Sequence, residues 1–147
     1  MKNLIKKSLL VFALLIPSIL SADQLKGLNV IITSADAQTQ MMGMVLSTMA
    51  LKKHKKIVNI TLCGPAGDLA VKGMESPIVK RPRGAKDITP KMALTALLKA
   101  GVSVEICQLY LPNTGKDASV LLDGISVAKP PMVAAKLLDS DFNNVSF

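Results

Sequence analysis

The two cysteines are the side chains of this sequence best suited to chemistry. Cys63 and Cys107 each follow a short apolar run and precede loop-forming residues. If those runs are parallel strands, both thiols lie at carboxyl ends of strands, where open parallel sheets bind their ligands. A partly exposed thiolate is a strong nucleophile, so the spacing predicts a thiol site with Cys107 as its principal group. A small buried hydrophobic side chain is the alternative role of a cysteine, and it applies most to Cys63.

Three other side chains bear on the reactivity of that site. Glu105 lies two residues before Cys107 and shares its face of the strand, where its carboxylate would raise the pKa of the thiol. A helix N-terminus after the loop, or Lys116, would lower that pKa. The sequence therefore does not decide whether the pKa of Cys107 is raised or lowered. His54 is the only histidine and precedes the second strand, at the end of the sheet opposite the cysteines. This position argues against a Cys–His pair, and it leaves a serine triad without a base.

Four methionines in one helical segment suggest a different chemistry, because thioethers suit Cu(I). They are Met41, Met42, Met44 and Met49. Met42 and Met49 recur at helical spacing with Val45 and Leu46, which predicts that this stripe packs in the core. Two cysteines are too few for a four-cysteine zinc or iron–sulfur site. The segment 64–67 also lacks the spacing of a phosphate-binding loop, so we expect neither a metal nor a cofactor.

The first 22 residues have the layout of a secretory signal peptide. Three lysines within the first seven residues precede an apolar run from Leu9 to Leu20, and Ser21-Ala22 supply small residues before a polar stretch. The run is short for a membrane span. We therefore expect cleavage, localisation in the periplasm and no membrane span afterwards, with an uncleaved anchor as the alternative. Residues 23–147 are then a single domain.

Removing the leader changes the charge that a partner would meet. The chain carries 18 Lys and Arg against 10 Asp and Glu, a net charge of +8, and the three leader lysines reduce this to +5 for residues 23–147. Four aromatic residues and no Trp offer little for base stacking, and an exported protein meets neither DNA nor cytosolic RNA. We expect no nucleic-acid partner. The basic cluster Lys80, Arg81, Arg83 and Lys86 is expected to be a solvated loop, with docking of an acidic partner such as a cytochrome as the alternative.

Strand-like and helix-like segments alternate through residues 23–147. Short apolar runs, and for 102–107 an alternation of apolar and polar residues, predict strands over 28–33, 57–63, 102–107, 125–128 and 144–147. The segments between them predict helices over 37–53, 68–72, 90–100, 118–122 and 130–138. Such alternation is typical of an α/β fold, in which helices cover both faces of a parallel sheet.

Four segments of the sequence resemble the DsrE/DsrF-like sulfur-relay family, in an exported form. They are 28–32, 63–70, 98–107 and 122–125, and the most specific is a helix ending in Ala100-Gly101-Val102, followed by a strand ending in Cys107. The resemblance implies a three-layer α/β/α sandwich with a mainly parallel five-stranded sheet. It also implies a homo-oligomer, a trimer or hexamer, and a persulfide on the cysteine that matches Cys107. Cys63 lies outside the family pattern, and the export signal leaves the sulfur donor and acceptor proteins unidentified.

The strand order of that family would place the second strand beside the third. Cys63 and Cys107 would then end neighbouring strands about 5 Å apart, within disulfide range. We therefore expect Cys107 to be the sulfur acceptor and Cys63 a candidate resolving thiol, provided that both thiols point to one sheet face. The predicted function is a periplasmic sulfur carrier or thiol relay rather than a free-standing enzyme. The alternatives are a binding or assembly module with inert cysteines, and a methionine-based copper-binding protein.

Overall fold

The computed structural model describes residues 25–82 and 84–147. Five strands form one sheet in the order β4-β3-β2-β1-β5, and every neighbouring pair is parallel. The strands are β1 (Gly27–Ile32), β2 (Ile57–Leu62), β3 (Ser103–Ile106), β4 (Ile125–Val127) and β5 (Phe142–Ser146). With the helices on the sheet, this confirms the predicted α/β fold with a five-stranded parallel sheet, consistent with three α/β/α layers. The predicted signal peptide, residues 1–22, lies outside the described residues.

Four α-helices and two 3₁₀ helices connect the strands. They are α1 (Ala37–Lys52), a first 3₁₀ helix (Gly64–Ala70), α2 (Pro90–Lys99), α3 (Tyr110–Asn113), a second 3₁₀ helix (Ala118–Val120) and α4 (Pro130–Leu138). The chain steps in one direction from β1 to β4, so right-handed crossovers place α1 and α2 on the same face of the sheet. The last crossover returns to β5 and carries α4 over the other face.

The two faces of the sheet differ in chemistry. The face under α1 and α2 is apolar, and its side chains Val30, Ile32, Val58, Ile60, Leu62, Val104 and Ile106 are buried. The face under α4 is polar: Asn29 donates from Nδ2 to the Lys136 carbonyl at 2.6 Å, and Asn59 donates to Asn29 Oδ1 at 2.9 Å. No residue of α4 is fully buried. The core therefore lies between the sheet and the α1–α2 layer.

Local signals explain where the two long helices begin. Asp36 caps α1, since its Oδ1 accepts a hydrogen bond from the Thr39 amide at 2.7 Å. That bond is the main cause that lowers the pKa of Asp36. Thr89 caps α2 in the same way, with its hydroxyl accepting from the Met92 amide at 3.1 Å. Gly101 follows α2 with a φ of +86°, a conformation that glycine adopts without strain.

Two connections differ from the expectation. The segment after β3, which was expected to be a loop, contains α3. Pro112 does not prevent this helix, because it lies in the first turn, where a residue needs no amide hydrogen for a helical hydrogen bond. The segment 64–67 and the predicted helix over 68–72 form one element, the first 3₁₀ helix, which begins at Gly64, has Pro65 in its first turn and ends at Ala70. Each short element is the next one along the chain after a strand that ends beside a cysteine.

The predicted inner face of α1 is wrong. Met42 is 51% exposed and Met49 is 40% exposed, whereas Met44 is 1% exposed. The helix approaches the sheet through small residues, because a Cβ on Gly43 would lie 2.9 Å from Ile32 Cδ1. Ser47 is buried and donates from its hydroxyl to the Gly43 carbonyl at 2.7 Å. A prediction from hydrophobic spacing treats Gly43 and Ser47 as non-core residues. It therefore places the face that contacts the sheet one position away from the observed face.

The observed orientation of α1 predicts different stabilities for alanine substitutions at Met44 and Met42. Met44→Ala should lower the free energy of unfolding by about 2–5 kcal/mol, because it empties a fully packed site. Met42→Ala, two positions earlier on the exposed side, should change it by less than about 0.5 kcal/mol. Urea unfolding followed by circular dichroism measures both. Equal losses in the two variants would contradict the observed helix orientation.

Candidate functional site

Cys63 and Cys107 lie side by side at the carboxyl edge of the sheet. β2 and β3 are paired in register up to Leu62 and Ile106, and a cysteine follows each of these residues directly. The Cys107 amide donates to the Leu62 carbonyl at 2.7 Å, so the ladder continues past the strand ends. Because side chains alternate along a strand, both thiols lie on the face that α4 covers. Both are free and half-buried, and the condition of a shared face is met.

A cavity of about 570 Å³ opens over the two thiols. The first 3₁₀ helix contributes Pro65 and Asp68 to its lining, and the segment after β3 contributes Leu109, Tyr110 and Thr114. Leu109 is exposed and lies at the rim. The two loops that follow the cysteine-terminated strands therefore build one pocket, as expected at the carboxyl ends of parallel strands.

The two thiols differ in their electrostatic environment. Burial raises the pKa of Cys63 to about 12, and the hydrogen bond with Cys107 and the negative charge of an ionised Cys107 add to this effect. Cys63 therefore keeps its proton at neutral pH. A protonated thiol is a poor nucleophile, but its S–H group can donate to a negatively charged sulfur on Cys107.

A tyrosine–aspartate pair forms the wall of the cavity. Tyr110 donates from Oη to Asp68 Oδ1 at 2.5 Å. Burial, followed by the hydrogen bond and the charge of Asp68, raises the pKa of Tyr110, so the phenol stays neutral. The ring packs on the backbone of Gly67, where a Cβ would lie 2.2 Å from Tyr110 Cδ2. Lys116 lies 6.0 Å from the ring centroid.

Sequence reasoning did not identify Asp68 and Tyr110. Each stands in the loop that follows a cysteine-terminated strand, and Tyr110 is the only tyrosine of the chain. That position was the available signal. The packing of the two loops against each other, which brings phenol and carboxylate together, was not visible in the sequence.

Glu105 has a partner that the sequence did not indicate. Lys136 Nζ of α4 donates a hydrogen bond to Glu105 Oε1 at 2.8 Å, and the two side chains form an ion pair. The carboxylate charge on the face of Cys107 is thus balanced by a cation. The second oxygen, Oε2, is buried and has no hydrogen-bond partner within the described residues.

The other candidate groups lie away from the thiols. His54 is exposed between α1 and β2, at the opposite edge of the sheet, as predicted. Lys80 and Lys86 are exposed, and the Arg81 amide donates to Asp87 Oδ1 at 3.0 Å. Arg83 lies outside the described residues.

The four methionines of α1 are divided between the core and the surface. Met41 and Met44 are buried in the core, whereas Met42 lies on the exposed side of α1. Among the residues that the structure describes, no group of three or more His, Cys, Asp or Glu side chains could hold a metal ion. Within the same ranges, every helix is too short or too polar to cross a membrane.

Two solved structures share this arrangement of strands and helices. The ychN protein from E. coli aligns with a TM-score of 0.62 and 17% identity, covering 82% of this chain and 99% of that chain. MTH1491 from Methanobacterium thermoautotrophicum, a protein of unknown function, aligns with a TM-score of 0.59 and 13% identity over the same shares. Both have the DsrE/DsrF-like fold. This chain has the same fold. No protein-family model matches the chain, and no curated protein matches it by sequence.

Proposed function

We propose that the protein carries sulfane sulfur as a persulfide on Cys107 and passes it to the thiol of a partner protein. The supporting observation is the pair of free thiols that share one cavity at the carboxyl edge of a DsrE/DsrF-like sheet. In loading, the Cys107 thiolate attacks the terminal sulfur of a sulfane donor, and the donor leaves as a thiolate. In delivery, an acceptor thiolate takes the outer sulfur and Cys107 leaves as a thiolate.

The environment of Cys63 supports the choice of Cys107 as acceptor. With its pKa raised to about 12, Cys63 is protonated at neutral pH and does not compete for the donor. Its S–H group lies in the same cavity as the sulfur of Cys107, where it can donate to the negative charge of a thiolate or perthiolate. In this proposal Cys63 is the resolving thiol, which reacts only after Cys107 has been loaded.

The location and assembly of the protein are further parts of the proposal. The signal-peptide layout of residues 1–22 supports export to the periplasm. The homo-oligomer, a trimer or hexamer, is proposed from the resemblance to the DsrE/DsrF-like family. Cell fractionation tests the first part, and light scattering of the purified protein tests the second. A cytoplasmic or a monomeric protein would overturn the respective part.

Sulfur loading can be measured by intact mass. Cys63→Ser, treated with hydropolysulfide and desalted, should gain the mass of one sulfur atom. Cys107→Ser, treated in parallel for the same short time, should gain much less, because burial, the largest cause of the raised pKa of Cys63, remains in this variant. An equal gain in Cys107→Ser, or no gain in Cys63→Ser, would refute the assignment of Cys107 as the sulfur acceptor.

A further inference from the structure

We propose that Cys63 discharges the Cys107 persulfide as hydrogen sulfide, which makes the protein a sulfane-sulfur reductase as well as a carrier. This inference rests on the proposed function, because its starting point is a persulfide on Cys107. It adds an intramolecular reaction and a released product, neither of which a relay to a partner requires.

The geometry of the two strand ends favours this reaction. Cys63 and Cys107 continue the register pair Leu62 and Ile106 on neighbouring parallel strands, and both line the same cavity. Neighbouring strands lie about 4.8 Å apart, and disulfides span Cα separations of about 4.4–6.8 Å. A disulfide between the two therefore needs no rearrangement of the sheet.

The reaction balances without an added oxidant. The Cys63 sulfur attacks the Cys107 sulfur and forms a new S–S bond. The S–S bond of the persulfide breaks, and its electron pair leaves with the outer sulfur as hydrosulfide, which takes the proton that Cys63 gives up. Sulfane sulfur is thereby reduced to hydrogen sulfide, and the two cysteines are oxidised to a disulfide. An external dithiol must reduce this disulfide before the next round.

Two opposing factors decide whether the sulfur is released as sulfide or passed to a partner. They are access to the persulfide and the protonation of Cys63. A partner thiol has to enter the cavity past the exposed Leu109 rim, whereas Cys63 already lines it. An internal group of this kind acts at an effective concentration of at least about 1 mM. The burial that keeps Cys63 protonated slows the internal attack. A docked partner therefore receives the sulfur first, and without one the sulfur leaves as sulfide.

A single-turnover experiment without reductant tests the inference. Wild type, Cys63→Ser and Cys63→Ala are loaded with hydropolysulfide and desalted, and loading is read by intact mass. Released sulfide and non-reducing mass are then followed with time. Wild type should release one sulfide per chain and end two hydrogens lighter than its unloaded, reduced form. Both variants should release sulfide at least about tenfold more slowly.

The outcomes separate the two proposals. If wild type loads but keeps its persulfide as long as the variants do, the reductase inference fails and the carrier proposal survives. If disulfide-linked dimers form, or the rate depends on protein concentration, the intramolecular step is refuted. If no protein loads, both proposals fail.

Discussion

Iodoacetamide at pH 8 is expected to modify Cys63 of the native protein about 100-fold more slowly than it modifies free cysteine. With a pKa of about 12, Cys63 is ionised in about one molecule in 10,000 at this pH, against about a quarter for a thiol of ordinary pKa. The greater nucleophilicity of a more basic thiolate recovers part of that difference. Initial rates of labelling, read from the peptide that contains Cys63, give the measurement.

Cys107→Ser is the control for the cause of this protection. The substitution removes the charge of Cys107 and replaces its thiol, whereas burial, the largest cause, stays. The pKa of Cys63 should fall but remain above that of free cysteine, so labelling at pH 8 should become faster without reaching the free rate. Labelling of native Cys63 at the rate of free cysteine would show that the site does not hold it protonated.

Gly67→Ala is expected to lower the free energy of unfolding by about 1–3 kcal/mol, because overpacking forces its neighbours to shift. The new Cβ would lie 2.2–2.7 Å from three atoms of the Tyr110 ring. The ring would have to move away and give up its hydrogen bond to Asp68. Urea midpoints of wild type and variant measure the loss.

A double-mutant cycle assigns that loss to the ring. In a Tyr110→Ala background the space above Gly67 is open, so adding Gly67→Ala should cost less than about 0.5 kcal/mol. An equal cost in both backgrounds would mean that Gly67 matters for a reason other than its contact with Tyr110.

The sheet and the position of the cysteines could be predicted because both depend on local pattern. β1 and β2 are short runs rich in β-branched residues, which is typical of strands. Parallel strands end at a common edge, so a cysteine after β2 and another after β3 must lie at that edge. The order of the strands came from the resemblance of the sequence to a known family.

The remaining features depend on contacts between segments distant in sequence. Gly43 and Ser47 set the inner face of α1 through close approach, which a hydrophobicity pattern does not register. Lys136 reaches Glu105 only because the last crossover returns over the polar face. The bond from Tyr110 to Asp68 joins residues 42 positions apart. None of these contacts has a local signature in the sequence.

The most direct test of sulfur carriage is a peptide map of the Cys63→Ser protein. The full-length variant is produced in cells, purified without reductant and alkylated at once to trap persulfides. We expect the peptide that contains Cys107 to carry one additional sulfur atom between the cysteine and the alkyl group. A Cys107 peptide that carries only the alkyl group, even after exposure to hydropolysulfide, would contradict the proposal.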